Sequence, residues 1–170
     1  MFFTIEPGIQ TFHYNQKDDS MSETPPNTIL FLCTGNYYRS RFAEILFNWM
    51  APQKGLNWIA DSRGLRLDSR NIGPISRFTL EGLGEMGIPV VEPIRFPATV
   101  TSSDFQSARH VVAVKEVEHR PLIESGFPEW TNRVEFWRVD DVDCAGPEVA
   151  LPELQENVAA LIARLSEFKS

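Results

Sequence analysis

A short apolar run, Thr28-Ile29-Leu30-Phe31-Leu32, leads directly into the loop Cys33-Thr34-Gly35-Asn36-Tyr37-Tyr38-Arg39-Ser40, and then into Phe42, Ile45, Leu46 and Trp49 at helical spacing. A continuous apolar run marks a strand buried on both faces. The spacing that follows is that of a helix with one buried face, which Pro52 and Gly55 close. A buried strand feeding a helix is half of a βαβ unit, so the rest of the chain must extend a parallel sheet and cover both its faces. The later pattern does this. Trp58-Ile59-Ala60 predicts a second strand, and a helix is predicted over 74–86, with Pro74 in its first turn and Gly87 beyond its end. Ser102-Ser103-Asp104 marks the cap of a short helix. His110–Val114 predicts a third strand, with a helical stretch to about Ile123, and Val134–Val139 a fourth. Leu154, Val158, Leu161, Ile162, Leu165 and Phe168 give the closing helix its apolar stripe. The expected fold is a single-domain three-layer α/β/α sandwich with a four-stranded parallel sheet. In such sheets ligands bind beyond the carboxyl ends of the strands, where the 33–40 loop and the loop after Val139 both fall.

At 170 residues the chain suits one domain. That domain is expected over 27–170, with a flexible extension over 1–26, where KDDSMSETPPN is polar, proline-bearing and without apolar period. Two readings of the extension stand: a genuine tail, or a stretch lying upstream of a start at Met21. The opening MFFTIEPGIQ lacks a basic segment followed by a long apolar one, so it does not read as a signal peptide. No apolar run approaches the ~20 residues of a membrane span. A net charge of −7 argues against nucleic-acid and anionic-membrane partners. Two cysteines, Cys33 and Cys144, are too few for a disulfide scaffold and point to a reducing cytoplasm.

The 33–40 loop carries the chemistry. A loop between a strand end and a helix start turns several backbone N–H groups toward one point and forms an anion nest, to which the helix adds its positive end. Gly35 and Asn36 tolerate the left-handed backbone such a turn needs. The N–H groups, the helix end and Arg39 together favour a Cys33 thiolate over the thiol. Arg39 offers a planar fork to two phosphate oxygens, and Ser40 a hydrogen bond to the sulfur. The alternative reading of the same residues is a buried free cysteine at a strand end with a surface arginine.

FLCTGNYYRSRFAEILFN resembles the signature of the low-molecular-weight protein tyrosine phosphatase family, which also includes thioredoxin-coupled arsenate reductases. The family's cysteine matches Cys33, its asparagine Asn36, its arginine Arg39 and its serine Ser40, while Ala43-Glu44 matches its helix start. The resemblance implies that Thr34 to Ser40, including Gly35, Tyr37 and Tyr38, bind the phosphoryl group. It also implies that Asn36 and Ser40 hold the loop's shape, and that Ser62, in Trp58-Ile59-Ala60-Asp61-Ser62, ties to it. Asn71 and Gly73 fall where the family often has them. The family's general acid is an aspartate in an Asp-Pro pair; where a tryptophan precedes it by four residues, as Trp137 does here, the match is Asp141. Val142 replaces the proline. Asp143 is the second candidate and Asp140 the third; as a group they could also be plain solvated loop carboxylates. The implied reaction is two-step: Cys33 takes the phosphoryl group, Arg39 and the loop N–H groups hold its charge, Asp141 protonates the leaving oxygen, and water cleaves the cysteinyl phosphate. It implies no metal or cofactor. The expected partner is a phosphorylated protein or a small phosphomonoester, and the expected state a monomer or weak dimer.

Several positions depart from the family pattern. Tyr38 stands where relatives have a second loop cysteine, so Cys144 is the only thiol left to protect Cys33; as a small residue it is otherwise expected to be buried. Asp143 and Cys144 stand where relatives carry tyrosines, leaving Tyr37 and Tyr38 to line the pocket, with a core position open to Tyr38. Arg63, Arg66 and Arg70 read as a basic cluster at the cleft mouth or as a solvated loop. Lys115 stands where relatives often have an acid. His119 is expected on a helix surface, Trp49, Trp58 and Trp137 in packing, and Phe168 in the core. Two rival functions remain: an arsenate reductase, which would need an external thiol because residues 100–130 hold no cysteine, and a non-catalytic phosphate-binding module.

Overall fold

The computed structural model describes residues 24–168. Residues 1–23, with Met21 and most of the expected extension, lie outside the described residues. The elements run β1 (Asn27–Cys33), α1 (Arg39–Gln53), β2 (Trp58–Gly64), α2 (Arg77–Glu85), α3 (Ser102–Ser107), β3 (His110–Ala113), α4 (Glu116–Gly126), β4 (Glu135–Phe136) and α5 (Pro147–Glu167), with a 3-10 turn at Pro128–Arg133 before β4. The four strands form one sheet in the order β2-β1-β3-β4, all pairings parallel. This is the expected three-layer α/β/α sandwich. None of the helices described is long and apolar enough to cross a membrane.

The two-residue period of β1 sorts its side chains into two cores. Ile29, Phe31 and Cys33 join the cluster under α1 and α5, with Phe42, Leu46, Leu154, Val158 and Leu161. Leu30 and Leu32 join the cluster on the opposite face, with Phe105, Val111 and Ile123. Each fully buried leucine or phenylalanine is worth roughly 1.5–3 kcal/mol of transfer free energy. The central strand is therefore gripped from both sides, and the loop at its end is held against a fixed floor.

The structure departs from the pattern-based expectations at several boundaries. The helix expected from Pro74 starts at Arg77, because the Ser76 hydroxyl accepts from the Phe78 N–H and the Pro74 carbonyl is taken by Arg41 Nη1 at 3.1 Å. Thr101, one residue earlier than expected, caps α3 and shares a capping box with Asp104. The fourth strand pairs only at Glu135–Phe136. Backbone bonds to the third strand's end continue to Val139, whose N–H donates to Val114 O at 2.8 Å. Phe168 is 84% exposed, past the last packed turn of α5, and Trp49 is exposed too. Trp137 is buried against Phe31.

Candidate active site

The floor of the site is built by one asparagine. Asn36 is fully buried and takes the left-handed conformation, φ 50°, uncommon for a residue with a Cβ. Its side chain makes the turn durable. Nδ2 donates to Ser40 Oγ at 3.0 Å and Ser62 Oγ at 2.9 Å. Oδ1 accepts from Arg95 Nη1 and from the Ala98 N–H, each at 3.0 Å. The Asn36 N–H donates to Cys33 Sγ at 3.2 Å, and Ser40 Oγ lies 2.9 Å from the same sulfur. Since Ser40 Oγ already accepts from Asn36, its own proton is free to point at Cys33. The sulfur thus receives two donors at the floor of the loop.

Behind this floor lies an ionic support that the sequence pattern did not reveal. Arg95 Nη2 donates to Glu44 Oε2, the Ser62 carbonyl and Ser62 Oγ, each at 2.9 Å. Ser62 Oγ in turn donates to Glu44 in a short hydrogen bond. Burial pushes the Glu44 carboxyl upward, while Arg95, Ser62 and Arg41 pull it back only in part. Glu44 is recognisable in the sequence only as part of the helix start, and Arg95 carries no motif signal at all.

Arg39, 1% exposed, is held in one plane. Nη1 donates to the Val139 carbonyl at 3.0 Å and to Glu118 Oε2 at 3.2 Å. Nη2 donates to Glu118 Oε1 and Asp141 Oδ2, both at 2.9 Å. Burial works against its charge, yet Cys33, Glu118 and Asp141 outweigh it and its pKa is raised. Glu118 also accepts a short hydrogen bond from Thr34 Oγ1. Burial raises its carboxyl, but neighbouring His119, Arg39 and Thr34 hold it well below the usual carboxylate range. His119 is fully buried rather than on the helix surface. Its Nδ1 accepts from the Lys115 N–H at 3.0 Å, so Nε2 carries the proton, 3.4 Å from Glu118 Oε1. Burial lowers its pKa and keeps it neutral. Glu118 had a positional signal only: it lies in the first turn of the helix after β3, at the carboxyl end of the sheet.

Above the sulfur opens a cleft of 840 Å³, lined by the loop, Tyr37, Tyr38, Phe78, Glu118, Asp141 and the 66–71 segment. The structure brings Cys33, Thr34, Gly35, Tyr37, Tyr38, Arg39 and Asp141 together on this cleft, with Asn36, Ser40 and Ser62 packed beneath them. Tyr37 Oη donates to the Ile72 carbonyl at 2.6 Å. Tyr38 is both core and wall: it is buried, its hydroxyl has no partner among the described residues, and burial with Asp141 beside it pushes the phenol up to about 12. Of the three aspartates, Asp141 meets Arg39, Asp143 lines the cleft, and Asp140 pairs with Lys115. The basic cluster divides. Arg66 and Arg70 line the cleft, with Arg70 on Asp68 at 2.7 Å, but Arg63 belongs to β2 and pairs with Asp61 and Asp104. Cys144 is exposed rather than buried, 3.9 Å from Lys115 Nζ.

The family described as low molecular weight phosphotyrosine protein phosphatase matches residues 28–157. A Bacillus subtilis protein, protein-arginine-phosphatase, is 34% identical over 106 residues, covering 62% of this chain and 67% of that protein. Among solved structures, a YwlE mutant from Bacillus subtilis is 25% identical with a TM-score of 0.69, covering 82% of this chain and 98% of its own. A low molecular weight protein tyrosine phosphatase from T. tengcongensis is 27% identical with a TM-score of 0.67, covering 83% and 98%.

Proposed function

Because the chain belongs to the low-molecular-weight phosphotyrosine protein phosphatase family, we propose that it hydrolyses phosphorylated protein side chains with Cys33 as nucleophile, Arg39 as phosphate clamp and Asp141 as proton donor. The observation that carries this reading is the placement of Cys33 Sγ, with its two donors, on the same cleft as Arg39 and Asp141. In the first step the Cys33 sulfur attacks phosphorus, and the bond to the leaving atom breaks with its electron pair going to that atom. The loop N–H groups and Arg39 take up charge on the equatorial oxygens. Asp141 hands its proton to the departing group. In the second step water attacks phosphorus, Asp141 takes the water's proton, and the pair of the S–P bond returns to sulfur.

The leaving group has two readings. A phosphomonoester of the phosphotyrosine type follows from the family, and Tyr37, Tyr38 and Phe78 offer apolar walls for a ring. Phosphoarginine is the second, favoured by the 34% identity to a protein-arginine-phosphatase and by the carboxylates Asp68, Glu118, Asp141 and Asp143 around the same cleft.

The test is hydrolysis of para-nitrophenyl phosphate from about pH 5 to 8, a range bracketing the working region of thiolate and carboxylate groups, for wild type and Cys33→Ser. Expected is turnover that the substitution abolishes, with a phosphorylated Cys33 trapped by rapid acid quench and found by mass spectrometry. Turnover that survives Cys33→Ser would reject the proposed nucleophile. A folded wild type that binds phosphate without turnover would instead favour a binding module, or arsenate reduction if arsenate and an added thiol restore activity.

A further inference from the structure

All four Nη hydrogens of Arg39 have acceptors among the described residues: two oxygens of Glu118, one of Asp141 and the Val139 carbonyl. The guanidinium meant to balance a phosphoryl dianion is thus already offset by two carboxylates. Glu118 is the fixed one of the pair. It lies in the first turn of α4, is held by Arg39 and by the Thr34 hydroxyl, and has the buried, neutral His119 behind it. Asp141 accepts from the same Arg39 nitrogen, so the two carboxylates stand side by side, and both face the cleft. The other acids there are less constrained: Asp68 is occupied by exposed Arg70, and Asp143 is not hydrogen-bonded to any residue described.

From this geometry, and resting on the phosphatase reading above, we infer that Glu118 is a specificity-determining residue that selects substrates whose phosphoryl group is bound to a cationic, guanidinium-type nitrogen. An aryl phosphate brings two negative charges into a site already rich in them. A phosphorylated guanidine brings its own compensating cation, whose planar N–H fork matches the Glu118 carboxylate. The step balances. The Cys33 sulfur forms the S–P bond, the P–N bond breaks with its pair going to nitrogen, and Asp141 supplies the proton that lets the guanidine leave as a cation. Glu118 stays ionised throughout and holds that cation beside Asp141. Its like-charge repulsion with a bare phosphate dianion acts against substrates that lack one.

The experiment compares Glu118→Gln with wild type on two substrates, a phosphoarginine peptide and para-nitrophenyl phosphate. Gln keeps an acceptor for Arg39 and Thr34 while removing the charge. The phosphoarginine kcat/KM is expected to fall roughly ten- to a hundredfold, the worth of one hydrogen bond to a charged group, while KM for the aryl phosphate also falls. Inhibition by free arginine, the product, should weaken in the variant by a similar factor. An equal loss on both substrates would overturn the inference, because Glu118 would then serve only to hold Arg39. So would a wild type that hydrolyses the aryl phosphate but not the phosphoarginine peptide, an outcome that leaves the phosphatase reading intact. A wild type inactive on both would fail that reading itself.

Discussion

The ion pair behind the phosphate loop offers the sharpest test of how the site is held. Arg95 meets Glu44 and the Ser62 hydroxyl and carbonyl with Nη2, and Asn36 Oδ1 with Nη1. Glu44 is 15% exposed and Arg95 34%. Replacing Arg95 with Met leaves the Glu44 carboxylate with the Ser62 hydroxyl and a 3.5 Å approach from Arg41 Nε. Breaking a fully buried pair costs about 3–5 kcal/mol, and an exposed one under about 1. The half-exposed arginine places this pair between them, at about 2 kcal/mol, or a fall in melting temperature of roughly 4–8 °C for a chain of this size. Asn36 keeps the Ala98 N–H but loses a charged donor, so the loop loosens and kcat should fall about tenfold.

The cause of that loss can be separated from simple packing. Burial already raises the Glu44 carboxyl, and removing Arg95 raises it further. An acid whose folded pKa is raised binds its proton more tightly in the folded chain, so stability rises as pH falls. The deficit of Arg95→Met should therefore be greatest well above the folded pKa and shrink as acid is added toward the unfolded carboxylate value. The double variant Arg95→Met/Glu44→Gln removes the orphaned charge and should regain about 1 kcal/mol over Arg95→Met. Thermal melts at neutral and acidic pH, with para-nitrophenyl phosphate kinetics alongside, measure all three quantities. A double variant less stable than Arg95→Met at neutral pH would refute the argument, as would a deficit that grows on acidification.

Three further outcomes follow from other contacts. A Cβ at Gly64 would sit 2.9 Å from the Thr34 carbonyl and 3.1 Å from Asn36 Cβ; Gly64→Ala should displace the phosphate loop, cost about 1–3 kcal/mol and lower kcat, whereas wild-type kinetics would show that the loop has room to give. Asp141→Asn should slow substrates with poor leaving groups far more than para-nitrophenyl phosphate, and equal losses on both classes would move the acid's role to Asp143. Glu135 binds His110, Trp137 and Arg164; against its burial, these hold its carboxyl down at about 2. Glu135→Gln should cost about 1–2 kcal/mol at neutral pH after discounting for solvent, with kcat unchanged. Because the folded pKa is depressed, that difference should narrow as pH falls from about 4.5 toward 2, and a constant difference in denaturant melts would contradict the ion-pair account.

What the sequence shows and what it conceals divide by distance along the chain. The strand, the loop and the first helix are contiguous from Asn27 to Gln53. Their signals are local: an apolar run, turn-tolerant residues and a helical period. The same locality made Asn36 and Ser40 nameable, whereas Asp141 was named through resemblance, by its offset from Trp137. Ser62 was reached through resemblance, and its partnership with Asn36 spans 26 positions. Arg95 and Glu118 reach the loop across 59 and 79 positions, and neither lies in a patterned segment. An arginine on an irregular connection and a glutamate in a polar helix turn read as surface residues until the fold brings them inward. His119 and Phe168 err in opposite directions for one reason. Periodicity ranks positions by hydrophobicity, while burial depends on which turn of a helix meets a neighbour. His119 is fully buried in the first turn of α4, and Phe168, just past the end of α5, is bare. Lys115 shows the same logic at a single residue. Its partner is Asp140, and a carboxylate that meets Arg39 comes from Glu118, one helical turn further along.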